Sequence, residues 1–222
     1  MTNPSIVVVF DLDDTLYKEI DFLKSAFSSI AHSISLEVPE DKNTIFEKMV
    51  ELYNLKQNVF EGILSIYKTS LTTDNLLVVY RNHKPNIKLS PDVVEVLEIL
   101  KKKKIPLGLL TDGRSVQQRN KIEALNLEKY FSKIIVSEEF GSKKPCVDNY
   151  KYFEDVFGSS QYYYIGDNLK KDFISPNKLG WITICLKDNG LNIHNQNIDL
   201  ENKYYYAKYT VSNFYEIKVI IK

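Results

Sequence analysis

Two carboxylates spaced two residues apart, Asp11 and Asp13, follow directly on the apolar run Ile6-Val7-Val8-Val9-Phe10. In an extended segment side chains at i and i+2 point the same way, so both acids can face one substrate atom, one as nucleophile or metal ligand and the other as proton donor. A plainer reading is that Asp and Thr15 after a strand form a turn and a helix cap. Three more apolar runs end in reactive groups. Ile105-Pro106-Leu107-Gly108-Leu109-Leu110 leads to Thr111-Asp112-Gly113, a hydroxyl followed by a turn of free backbone N–H groups. Lys133-Ile134-Ile135-Val136-Ser137 leads on to Lys143-Lys144-Pro145, where a proline holds a cation in a loop. Tyr162-Tyr163-Tyr164-Ile165 ends in Gly166-Asp167-Asn168, with Asp172 at the start of an expected helix.

These groups need strands that deliver them to one edge. Open α/β sheets bind ligands outside the carboxyl ends of their strands, which is where all four clusters fall. Apolar runs alternate with helical patterns over 90–185, the mark of a parallel sheet with helices on its faces. Ser90-Pro91 starts one helix, with Val93, Val96, Leu97 and Leu100 on one face. Residues 115–125 and 147–157 read as further helices, and 181–185 as a fifth strand. Between the first strand and Ser90 the pattern is helical throughout. Leu23, Ala26, Phe27, Ile30, Ala31 and Ile34 make one stripe at 3.6-residue spacing. Ile45, Met49, Leu52 and Tyr53 suggest a second helix, a third apolar segment contains Gly62, and Thr72 or Thr73 caps a fourth. The fold class expected is α/β: a Rossmann-like doubly wound parallel sheet, residues 1–16 and 89–222, with an inserted all-helical domain at 17–88.

The four clusters, in this order and over nearly the whole chain, resemble the motifs of the haloacid dehalogenase-like (HAD) phosphohydrolases. The nearest likeness, through 118–127 and 134–145, is to the branch of pyrimidine 5′-nucleotidases and N-acylneuraminate-9-phosphatases. The resemblance implies that Asp11 is the nucleophile and Asp13 the general acid/base. It implies that Thr111, with the backbone of Asp112 and Gly113, holds phosphate oxygens. Lys144, which directly precedes proline, would neutralise them, in preference to Lys143. Mg²⁺ would be bound by Asp11, the Asp13 carbonyl and Asp167. Thr15, Asn168 and Asp172 would support these groups from behind, Asp172 by orienting Lys144 or a metal-bound water. The helical insert corresponds to the cap of that family. Pro176 departs from the family pattern and is expected to end or kink the helix after the fourth motif.

Physical chemistry agrees. Phosphate monoesters need enhancements of up to ~10²¹, whereas one general acid gives ~10²–10⁴, so a single carboxylate cannot suffice. A carboxylate attacking a phosphate dianion among four acids requires cations to offset the charge. Oxygen ligands without His or Cys nearby suit Mg²⁺ and disfavour zinc.

The 222 residues, 44% of them hydrophobic, can bury one good core and a small accessory domain. A formal net charge of zero gives no steering toward nucleic acid or an anionic membrane. Lys101 to Lys104, the one dense basic run, is placed to end a helix and complement its dipole. No stretch approaches the ~18 apolar residues of a membrane span, and the first apolar run is too short for a signal segment, so the expected location is the cytoplasm. Cys146 and Cys185 lack ligand spacing and read as thiols. His32, His83 and His194 are isolated and read as surface or satisfied residues. Residues 188–203 read as a polar surface loop, and 204–209, with four tyrosines, as an edge strand.

The function expected is Mg²⁺-dependent hydrolysis of a small phosphorylated metabolite, a sugar phosphate or nucleoside monophosphate, through an aspartyl-phosphate intermediate. No nucleic-acid or membrane partner is expected, and the chain reads as a monomer or weak homodimer. A phosphomutase of the same superfamily, or a phospho-accepting regulatory or binding module, is the competing reading.

Overall fold

The computed structural model describes residues 5–221. Its centre is β1 (Ile6–Phe10), flanked by β2 (Leu107–Thr111) and β4 (Gln161–Gly166). With β3 (Lys133–Val136), β5 (Ile182–Leu186) and β6 (Tyr209–Val211) they form one parallel sheet in the order β3-β2-β1-β4-β5-β6. Side chains alternate across the sheet with the two-residue period of a strand. Val8, Phe10, Leu107, Leu109, Ile165 and Ile184 enter the core on one face, and Val7, Val9, Leu110, Tyr164 and Cys185 that on the other. Because both faces are buried, the strands read as continuous apolar runs. The chain order reverses direction at β1, so the crevice beside its carboxyl end is the switch point of the sheet.

Four helices lie between β1 and the rest of the sheet: α1 (Glu19–Ser35), α2 (Lys42–Asn54), α3 (Val59–Ile66) and α4 (Thr73–Asn82). Their apolar stripes meet in a separate cluster that includes Phe27, Ile30, Ile34, Ile45, Met49 and Ile63. Phe22 alone among the buried apolar residues of α1 belongs to the sheet's core, so the helix is anchored there by its first turns and packs on its partners beyond. Asp41 caps α2 through the amides of Asn43 and Thr44. Thr72, not Thr73, caps α4, because Asn75 returns the hydrogen bond and closes a reciprocal box.

The other helices are α5 (Pro91–Lys102), α6 (Ser115–Ala124), α7 (Ser137–Phe140), α8 (Asp148–Phe157), α9 (Ile174–Lys178) and α10 (Phe214–Ile220). Two expectations are corrected here. Pro176 neither ends nor kinks α9: it is the third residue, where the missing N–H has no intrahelical partner to lose. The tyrosine run is not a strand over its length. Lys203–Tyr205 is a 3₁₀ turn capped by Asn202, and the edge strand starts only at Tyr209. Both cysteines are free thiols. Among the described residues no helix is long and apolar enough to cross a membrane.

Candidate active site

The carboxyl ends of β1, β2 and β4 and the loop after α7 bring the expected residues together. Asp11 leaves β1 with its amide still bonded to the Ile165 carbonyl, so its position is set by the sheet. Lys144 arrives from the opposite side, with its amide on Asp112 Oδ1 at 3.0 Å and its ammonium buried. Its Nζ lies 2.6 Å from Asp11 and 2.7 Å from Asp172. Asp172, two residues before α9, turns back under β4. Its Oδ2 accepts the amides of Asp167 and Asn168 at 3.1 and 2.8 Å, and its Oδ1 accepts Lys144 and the Tyr164 hydroxyl at 2.7 and 3.1 Å. Gly166 makes that approach possible: a Cβ there would stand 2.5 Å from Asp172 Oδ2.

Burial and the neighbouring carboxylates of Asp172 and Asp13 push Asp11 up to about 8 against the opposing pull of Lys144. Burial, with Asp172 and Asp11, raises Asp167 to about 9. Burial alone would lower Lys144, but Asp11 and Asp172 hold it well above the usual lysine value. The cluster is therefore short of positive charge even with its lysine in place. Asp11, Asp167 and Asp172 each present an oxygen within 4.8 Å of the others. With both Asp172 oxygens engaged, free carboxylate oxygens remain on Asp11 and Asp167. That oxygen-only, electron-rich set fits a hard divalent cation.

Asp13 is held differently. Tyr17 Oη and Lys121 Nζ donate to its Oδ1 at 2.5 and 2.7 Å, and Gln118 Nε2 donates to its Oδ2 at 2.9 Å. Burial pushes its carboxyl up, but the Lys121 charge and these hydrogen bonds outweigh that and hold it below its usual range. Gln118 Nε2 also lies 2.7 Å from the Thr111 hydroxyl and 2.6 Å from the Asp112 carbonyl, tying the ends of β1 and β2 together. Thr15 is buried and its hydroxyl has no partner among the described residues.

The turn after Thr111 differs from expectation, since the Gly113 amide is not free. It donates to the Ser137 hydroxyl at 3.0 Å, because β3 brings Ser137 alongside. Asp112 is likewise committed at its side chain, to the Lys144 amide and to Lys171 Nζ at 3.4 Å. His194 does not lie apart from the chemistry either. With Glu19 and Lys171 it lines the cavity of about 110 Å³ that contains Asp11, Asp13, Lys144 and Asp167. It comes from the polar segment 188–203, which is a loop but docks on the motifs. Asn192 Nδ2 donates to Asp167 Oδ2 at 2.9 Å, and Gln196 Nε2 bonds the Asp167 and Leu186 carbonyls. Asp14, in a left-handed turn at φ 56°, receives the amides of Glu19 and Ile193, so it joins the start of α1 to this loop. A larger cleft of about 670 Å³ lies between α1, α2 and residues 84–88, with exposed Lys24, Lys42, Lys84 and Lys88, but no motif residue reaches it.

Sequence reasoning missed Tyr17, Gln118, Lys121 and Asn192. One signal was present: Gln118 and Lys121 share the i, i+3, i+4 face of α6 with Ile122, so a polar pair occupies positions where a sheet-packed helix presents apolar residues.

The family model of haloacid dehalogenase-like hydrolases matches residues 8–186, which span all four motifs. The chain belongs to this family. Among curated relatives, glyceraldehyde 3-phosphate phosphatase of Methanocaldococcus jannaschii is 26% identical over 97% of this chain and 96% of its own length. Pyrimidine 5′-nucleotidase YjjG of Escherichia coli is 27% identical over 52% of this chain and 49% of its own. Among solved structures, the putative HAD-hydrolase YfnB from Bacillus subtilis, bound to magnesium, superimposes with a TM-score of 0.69 at 19% identity, covering each chain completely. That likeness establishes the HAD fold of the sheet and its helices.

Proposed function

We propose that this HAD hydrolase releases phosphate from a small sugar phosphate, of about triose size, through an aspartyl-phosphate on Asp11. The chain is a phosphoric monoester hydrolase of its family. The observation that carries the substrate reading is the size of the cavity. At about 110 Å³ it is well below the ~300–1,000 Å³ of pockets that enclose drug-sized ligands. That space takes a phosphoryl group and a short polyol, whereas a nucleoside would extend past Glu19, Lys171 and His194 at its mouth. The full-length likeness to a phosphatase named for a triose phosphate supports the same class, whereas the nucleotidase likeness spans half of each chain.

In this reading Asp13, a carboxylate in the free site, takes up a proton as the phosphate dianion binds beside it, and Asp11 attacks phosphorus in line with the departing oxygen, which takes that proton. Asp13, now a carboxylate, accepts a proton from water as that water attacks the phosphorus and frees Asp11. Lys144 and the Thr111 hydroxyl face the phosphoryl oxygens, and Asp172 keeps Lys144 beside Asp11. Mg²⁺ would be held by Asp11, Asp167 and the Asp13 carbonyl, and would supply the positive charge that the acids lack. Residues 17–88 act as a cap, with Glu19 at its base and His194 and Lys171 at the rim meeting the leaving group. Closing the cap excludes water while the phosphoryl group transfers.

The test is phosphate release from C3 to C6 sugar phosphates, nucleoside monophosphates and a phosphopeptide, with Mg²⁺ and with chelator. The expected order by kcat/KM places triose and tetrose phosphates first, with stoichiometric phosphate and no activity in chelator. Preference for nucleotides, or isomerised sugar phosphate without phosphate release, would overturn the reading.

A further inference from the structure

Lys121 is a lysine without a place in the motif chemistry, yet it is only 1% exposed. Burying an ammonium costs several kcal/mol after relaxation, and a methionine would fill the same volume without that cost. What the lysine adds is a fixed donor on the side of Asp13 away from the open cavity. Its Nζ stands 2.7 Å from Asp13 and 3.8 Å from Glu19, the first residue of α1, and 4.4 Å over the ring of Phe22. Gln118, equally buried, holds the other Asp13 oxygen, and Tyr17 reaches the first from the segment entering α1. These three donors leave the Asp13 side chain 19% exposed, at the edge facing the cavity.

We propose that Lys121, Gln118 and Tyr17 form a positioning clamp that fixes the Asp13 carboxyl toward the leaving-group oxygen and couples that aim to the seating of α1 on the sheet. The inference rests on the phosphatase reading, with Asp13 as the proton donor. The clamp touches neither substrate nor metal ligand side chains: Lys121 and Tyr17 act through Asp13, and Gln118 also holds the Thr111 hydroxyl. Two of its members sit on α6 of the core and one at the root of α1. A shift of the helical block would therefore move Tyr17 and Glu19 against Lys121 and redirect the acid. A buried ion pair kept only for stability would have no preference for one class of leaving group.

The leaving group supplies the test. An alkyl phosphate needs a proton on its departing oxygen, whereas p-nitrophenyl phosphate does not, and kcat/KM reports the steps through formation of the phosphoenzyme. Wild type, Lys121→Met, Tyr17→Phe, Asp13→Asn and the two double variants carrying Asp13→Asn are compared on a triose phosphate and on p-nitrophenyl phosphate, with thermal unfolding of each. A misplacement of about 1 Å can cost ~10²-fold, so Lys121→Met should lose about that factor on the triose phosphate. On p-nitrophenyl phosphate, with no proton to supply, the loss should stay under about threefold. In the Asp13→Asn background neither clamp substitution should lower the alkyl rate further, because residues acting as one unit are not additive. Equal losses on both substrates, or losses that multiply with Asp13→Asn, would overturn the clamp. Should Lys121→Met fail to fold, Tyr17→Phe decides by the same criteria, since it removes one donor without unpairing a charge. Wild type that releases phosphate from neither ester refutes the hydrolase reading itself, a result distinct from an active wild type with additive variants.

Discussion

Asp172→Asn tests whether the charge of this buried carboxylate, and not its shape, organises the strand ends. The aspartate accepts four hydrogen bonds, two on each oxygen, and the isosteric amide has one accepting oxygen. If that oxygen keeps the Asp167 and Asn168 amides, the NH₂ group is directed at Lys144 Nζ, donor against donor at a site 2.7 Å apart in the wild type. Removing one partner of a buried pair costs ~3–5 kcal/mol. The lower end applies, because Lys144 retains Asp11 at 2.6 Å and the loss of one negative charge relieves Asp11 and Asp167. About 3 kcal/mol, at ~2–4 °C per kcal/mol for a chain of this length, lowers Tm by roughly 6–12 °C. Calorimetric unfolding in chelator, at pH 7, reads this directly. A fall of less than about 2 °C would mean that the Asp172 charge does not hold Lys144, and the account of the site's electrostatics would be wrong.

Other expectations follow from the same geometry. Asp11→Asn should reduce turnover by at least ~10³-fold, since an amide is a poor nucleophile, and substantial residual activity would exclude the covalent route. Lys144→Ala should cost at least ~10²-fold in kcat, while alanine at exposed Lys143 should leave it within about twofold; equal losses would refute the assignment. Asp11 and Asp167 rise from 3.8 to about 8 and about 9 in the fold. The folded state thus holds extra protons between pH 4 and 9, and the stability they contribute is full below that window and lost as pH rises through it. Tm in chelator should therefore fall from pH 6 to 9, and Mg²⁺ should restore it with proton release; a flat profile would contradict the surplus of negative charge. Asn192→Ala, which frees Asp167 Oδ2, should weaken Mg²⁺ about 10–100-fold by calorimetric titration, and unchanged affinity would show that the loop does not orient that acid.

The features legible in the sequence are those that depend on neighbours along the chain. Strand identity came from apolar runs, the fold class from their alternation with helical stripes, the placement of Asp11, Thr111 and Asp167 from their positions at the ends of those runs, and that of Lys144, eight residues past β3, from the family resemblance. Backbone geometry and the parallel sheet then carry such residues to one edge with little further choice. The capping of α4 by Thr72, the short α9 around Pro176 and the late start of β6 needed hydrogen-bond partners that the pattern does not name. Contacts across long separations were decided by tertiary structure alone. Lys121 and Asp13 stand 108 residues apart in the chain, and nothing near either predicts that a buried ammonium would be set against this carboxylate. Ser137 takes the Gly113 amide across 24 residues, and Asn192 reaches Asp167 across 25. The segment 188–203 reads as loose coil because its side chains bond to backbone and to the motifs in place of a regular ladder, a use of polar residues that has no period. Local periodicity determines which elements form; which buried donors meet which acids is set only when the packed core fixes their distances, since a hydrogen bond is lost within about an ångström of misplacement.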